Sequence, residues 1–166
     1  MVRNYLKYYS RLMVVLFIVG LMVGCSSETE HSTIIKKVLD VMKADAAGLG
    51  EPKVVADSLY FGTTRLNGNY ELVDSLRAKY DCTATFFAKK GNAFIRISTN
   101  VMQEGHRAVG TQLDPDGSVI IAIQQGKPFY GTVDILGSQY ETGYEPIMNA
   151  DGEIIGVYYV GYQIKQ

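Results

Sequence analysis

The chain has no tryptophan, two histidines and two cysteines in 166 residues, and its net charge is −1. These scarcities exclude several classes of function. His31 and His106 are isolated from each other and from any cysteine at zinc-ligand spacing, so no metal site is expected. Cys25 and Cys82 are too few for a disulfide framework. Cys82 reads as a small core residue at the start of a strand, since no basic or histidine neighbour suggests an activated thiolate. Nucleic acid is not an expected partner, because the one local excess of positive charge is Arg3, Lys7 and Arg11. The Gly-x-Ser-x-Gly elbow, the phosphate loop and the dinucleotide fingerprint are all missing, so neither an enzyme nor a cofactor is expected. Asp114-Pro115-Asp116-Gly117 lacks the later ligands and distal glutamate of a calcium loop and reads as a helix entry.

What is present begins with a targeting segment. Residues 1–11 carry three positive charges and no negative one, and residues 12–24 form an uninterrupted apolar run that ends at Cys25. As a helix this run covers roughly 20 Å against about 30 Å of hydrocarbon, which is short for a stable span. A cleaved signal peptide is therefore the expectation. Leu21-Met22-Val23-Gly24-Cys25 resembles a bacterial lipobox, with Met22 where leucine is usual and Val23 bulkier than the common alanine or serine. The expected layout is a signal peptide over 1–25 with Cys25 acylated, then a polar tether over 26–32. The protein would sit in the cell envelope on the periplasmic side, held to a membrane by its lipid. The alternatives are an uncleaved anchor, with Tyr5, Tyr8 and Tyr9 as interfacial aromatics, and plain secretion.

The rest reads as one α+β domain over 33–163, followed by a short tail over 164–166. Ile34, Ile35, Val38, Leu39, Val41 and Met42 recur at helical spacing, and Gly48-Leu49-Gly50-Glu51-Pro52 ends that helix. Leu59 to Leu66 reads as a strand. Asn67-Gly68-Asn69 then caps a helix with Leu72, Val73, Leu76 and Tyr80 on one face. Thr83 to Lys89 and Ala93 to Thr99 form a hairpin, and a polar loop over 100–111 leads to a short helix carrying Val119, Ile120 and Ile123. Phe129 to Leu136, Tyr140 to Met148 and Ile154 to Tyr162 complete an antiparallel sheet with helices on its faces. No solenoid repeat, low-complexity tract or second apolar span accompanies it.

Five pieces in order carry a family resemblance. They are Gly62-Thr63-Thr64-Arg65-Leu66-Asn67-Gly68; Phe94-Ile95-Arg96-Ile97-Ser98-Thr99-Asn100-Val101 followed by Arg107-Ala108-Val109-Gly110-Thr111; Tyr130 to Gly137; Tyr140 to Ile147; and Gly152 to Gly161. Over roughly 33–163 the chain resembles the single Cache sensor domains of bacterial chemoreceptors and sensor kinases, of the Cache 3/Cache 2 type. The resemblance implies a long N-terminal helix packed on a PAS-like antiparallel sheet, with a pocket between the sheet and the loop-helix segment for a small polar metabolite, often a short-chain carboxylate. It departs from a typical chemoreceptor in having no second membrane helix, HAMP segment or cytoplasmic output domain in the sequence.

Arg96, in mid-strand with Phe94 and Ser98 on its face, lies either on an open face or against a cavity. In a cavity its fork suits a carboxylate. Arg107 either grips an anion beside Gly110 and Thr111 or is a solvated loop charge. Ser98, Thr99 and Asn100 either line the pocket or turn the chain. Tyr130, Tyr140 and Tyr144 either wall the ligand or pack in the core, and Tyr140 and Tyr144 share a face. Asp134 is a weaker candidate, for an arginine or a ligand amine. The expected function is extracytoplasmic binding of a small organic acid in signal transduction or chemotaxis. The alternative is a tethered interaction protein whose pocket is closed, acting on a membrane-bound receptor or kinase.

Overall fold

The computed structural model describes residues 27–164, with side chains from residue 32 onward. The signal segment and Cys25 lie outside the described residues. The chain divides into two compact units, 1–30 and 31–166, and all that follows concerns the second, apart from the first turn of its leading helix.

Helix α1 spans Ser27–Ala47, so the stretch expected as a tether is already helical at Ser27. Its buried stripe is Ile35, Val38, Leu39, Met42 and Ala46, and Ile34, a quarter-turn away, is exposed. Strands β1 (Pro52–Val55), β2 (Ser58–Phe61) and β3 (Thr64–Arg65) form a small antiparallel sheet. The strand expected from Leu59 to Leu66 is thus a hairpin. It breaks at Gly62, whose φ is +59 and where a Cβ would fall on the carbonyl oxygen of Leu49, so no side chain fits. Helix α2 (Glu71–Tyr80) starts behind Asn69, whose carboxamide oxygen accepts the amide of Glu71, and ends on Asp81 in the left-handed region.

Five strands make the main sheet. They are β4 (Thr83–Lys90), β5 (Ala93–Thr99), β8 (Phe129–Ile135), β9 (Ser138–Met148) and β10 (Ile154–Gln163), in the order β5-β4-β10-β9-β8, all antiparallel. A small hairpin, β6 (Met102–Gln103) and β7 (His106–Arg107), and helix α3 (Ser118–Gln124) fill the expected loop-helix segment. The order is the PAS-like α+β arrangement.

Strand alternation gives the sheet two apolar faces, and each has its own core. On one, α1, α2 and the small sheet cover Phe86, Ile147, Tyr158 and Val160, with Leu59, Phe61, Val73 and Leu76. On the other, the 101–113 segment and α3 cover Phe87, Phe94, Tyr144, Val157 and Tyr159. Gly143 lets α1 down onto the first face. A Cβ there would fall on the methyls of Ile35 and Leu39.

Candidate functional site

Pairing of β4 with β5 slips once: Phe87 faces Arg96, but Phe86 faces Ser98. Ile97 is the extra residue of a bulge, so Arg96 and Ser98 leave the sheet on opposite sides. Strict alternation from the sequence placed them on the same side. The bulge sends Arg96 to the α3 face, where it is 6% exposed.

There the guanidinium lies over the Phe87 ring, 5.1 Å from its centroid, and Nη1 donates a short hydrogen bond to the hydroxyl of Thr111. Nε is buried with no hydrogen-bond partner. Burial pulls the pKa of Arg96 below its ordinary value, and the phenols of Tyr144 and Tyr159 act in the opposite sense. An arginine stays cationic under that pull. Ion pairs among the described residues are made by Lys43, Lys90 and Arg107, so Arg96 is a buried cation with no internal counter-ion.

The backbone holds this position tightly. Arg96 N–H donates to the carbonyl of Thr111 (2.9 Å), Gly110 N–H to the carbonyl of Arg96 (2.8 Å), and Leu113 N–H to the carbonyl of Phe94 (2.9 Å). Residues 110–113 therefore cover the outer edge of β5 and bring the Thr111 side chain to Arg96. Between this segment, the start of α3 and β8 lies a cavity of about 270 Å³. Arg96, Thr111 and Tyr144 supply polar groups to it, Leu113, Val119, Val133 and Leu136 an apolar wall, and Asp114 and Asp134 are exposed carboxylates on its lining.

Tyr144 is 2% exposed and packs against Tyr159 (4.9 Å between centroids) and Phe129 (6.2 Å). Burial raises its phenol well above the ordinary value, against a lowering by Arg96. The hydroxyl stays protonated at physiological pH as a donor, and none of the hydrogen bonds among the described residues uses it. Asp134 accepts from Gly137 N–H (2.9 Å) and Gln139 Nε2 (3.2 Å), and Asp114 from Asp116 N–H (3.0 Å), so both carboxylates shape turns.

The other residues singled out from the sequence stand elsewhere. Ser98 donates to the carbonyl of Asn69, tying β5 to the start of α2. Asn100 accepts the Ala84 amide (2.8 Å) and donates to the Val73 carbonyl (2.6 Å), both ends of its side chain being used within the fold. Arg107 makes a bidentate pair with Asp74, 2.8 Å for each bond, donates to the Thr99 carbonyl (2.7 Å) and stacks 4.3 Å over Tyr70. That pairing, which raises its pKa against some desolvation, leaves it joining α2 to the 99–107 loop. Tyr130 faces α1, donating to Glu145, which Lys43 also reaches. Tyr140 shares the face of Tyr144 but packs against the second core without lining the cavity.

Leu113, Val119, Val133 and Leu136 were not singled out as site residues. Their apolar periodicity reads only as core, and no local signal separates a cavity wall from a packed interior. A larger hollow of about 480 Å³ near Val54, Lys89 and Ile154 is open and holds no buried polar side chain. Among the described residues no group of histidine, cysteine and acidic side chains is arranged for a metal, and no helix is long and apolar enough to cross a membrane.

A family model described as the Cache 3/Cache 2 fusion domain matches residues 29–166. No curated protein matches the chain.

Proposed function

Because the chain belongs to the Cache 3/Cache 2 fusion domain family, whose members are extracytoplasmic sensory domains that bind small molecules, we propose that it binds a small carboxylate-type metabolite at Arg96. The observation that carries this is the buried guanidinium of Arg96, which opens on a cavity and makes no ion pair with a carboxylate of the described residues. An unpaired charge taken out of water costs several kcal/mol, and a bound anion offsets that cost. Thr111 and the Tyr144 hydroxyl stand beside it as further polar groups. Of the residues weighed from the sequence, Arg96, Thr111 and Tyr144 carry the proposal. An interior left open beside a buried cation also favours a ligand over the reading in which side chains fill the pocket.

Anchoring through acylated Cys25 is part of the same proposal, as is a membrane-bound receptor or kinase that reads the occupied domain. An intact segment of residues 1–24 on the mature protein, read by mass spectrometry, would overturn the anchor.

Calorimetry on the purified full-length chain against a panel of small carboxylates tests the ligand. Charge-assisted hydrogen bonds of about 1.5–3 kcal/mol imply that Arg96→Met weakens binding roughly ten- to a hundredfold. The same variant should melt no lower than wild type without ligand, because it removes an unpaired buried charge and leaves an apolar side chain. The proposal fails if no acid binds wild type, or if Arg96→Met binds as well.

A further inference from the structure

Two observations meet at the mouth of the cavity. The first is backbone strain. Strands β8 and β9 are joined by a two-residue turn in which Ile135 pairs with Ser138, and both turn residues are left-handed, Leu136 at φ +54 and Gly137 at φ +87. Such turns favour asparagine, aspartate or glycine at the first position. A γ-branched apolar side chain there is out of place. Among the described residues, the other non-glycine residues at positive φ are Ala56, Asp57, Asp81 and Glu104, all small or polar and none on the cavity. The second observation is exposure. Leu136 is 44% exposed, yet it lines the cavity together with Val133 and Ile135. A strained backbone position holding an apolar side chain against a ligand cavity is the pattern in which strain serves a site rather than the fold.

Size points the same way. At about 30 Å³ per water-sized group, the cavity takes roughly nine such groups. Acetate, with four heavy atoms, leaves over half of it wet. The wall beyond Arg96 is Leu113, Val119, Val133 and Leu136, and the exposed carboxylates of Asp114 and Asp134 repel a second anionic group.

Resting on the carboxylate reading, we propose that Leu136 is a specificity-determining residue, which covers the apolar tail of a monocarboxylate larger than acetate. The carboxylate goes inward to Arg96, and the tail lies along the apolar wall toward the β8–β9 turn. Leucine is kept at a position that asparagine would occupy with less strain because its side chain contacts the tail.

Acetate, valerate and succinate, titrated calorimetrically into the full-length chain and into L136N, test this. Wild type should bind valerate at least tenfold tighter than acetate or succinate. L136N should cut the valerate-to-acetate affinity ratio about tenfold and, with the left-handed turn relieved, raise the melting temperature of the unliganded protein. A preserved ratio in L136N, a lowered melting temperature, or wild type binding valerate no tighter than acetate or succinate overturns the assignment of Leu136 and leaves the carboxylate reading standing. Wild type binding none of the three acids overturns both.

Discussion

At the scale of single residues, the polar side chains of the 96–111 stretch divide by whether the fold consumes them. Asn100 is fully consumed. Its carboxamide joins β4 to α2 by two hydrogen bonds at 2.8 and 2.6 Å, and it is 2% exposed. Asn100→Ala strands a buried amide N–H and a buried carbonyl, each costing about 1–3 kcal/mol, so we expect about 2–6 kcal/mol of destabilisation by urea denaturation. Carboxylate affinity of the surviving folded fraction should change little. Arg107 is consumed by Asp74 and the Thr99 carbonyl. Arg96 differs in having a buried donor, Nε, left over beside a cavity. The sequence offers each of the three either a place at the ligand or a role in the fold. It has no means of telling them apart, because the groups that satisfy Asn100 and Arg107 are 8 to 33 residues away along the chain.

At the scale of elements, two local features set the geometry of both sheet faces. The bulge at Ile97 turns Arg96 to the α3 side and Ser98 to the α1 side, and one inserted residue is enough because strand alternation has a period of two. Gly143 does the corresponding work for α1. A methyl there meets Ile35 and Leu39 on one side and the Tyr130 ring at 3.0 Å on another, so the helix must lift or the strand must shift. Overpacking of this kind costs about 1–3 kcal/mol, and Gly143→Ala should lower the melting temperature accordingly. Gly143 lies next to Tyr144 on β9, so calorimetry on the same variant should also show weakened carboxylate binding. Little change in either would mean that α1 is seated more loosely than the contacts imply.

At the scale of the whole molecule, the interior is rich in groups that must stay protonated. Burial pushes the Cys82 thiol up from 9.0 to about 11 and the Tyr162 phenol from 10.0 to about 12, and raises Tyr144, Tyr158 and Tyr159 as well. Each is an acid whose folded pKa exceeds its unfolded one, so on raising the pH the unfolded chain releases its proton first. Stability should accordingly be level below about pH 8 and fall progressively from about pH 9 upward, as the unfolded groups ionise. Urea midpoints across pH 7 to 11 check the sign, and a midpoint that rises over that range would contradict it. Cys82, buried and donating weakly to the Leu76 carbonyl, should resist thiol reagents at pH 8 until the protein is unfolded.

The amino-acid sequence by itself determined the class and order of the elements: an amphipathic helix, the strands of an antiparallel sheet, two further short helices, and the resemblance that named the family. Those properties are local or periodic, so hydrophobic spacing, glycine positions and short motifs carry them. Only the tertiary structure decided which polar groups remain available. The bulge that parts Arg96 from Ser98, the Asp74 pair that occupies Arg107, and the cavity that leaves Arg96 without a counter-ion all depend on contacts between distant segments. The physical reason is that alternation and propensity act between near neighbours, whereas satisfaction of a buried charge is settled by whatever the completed fold brings to it.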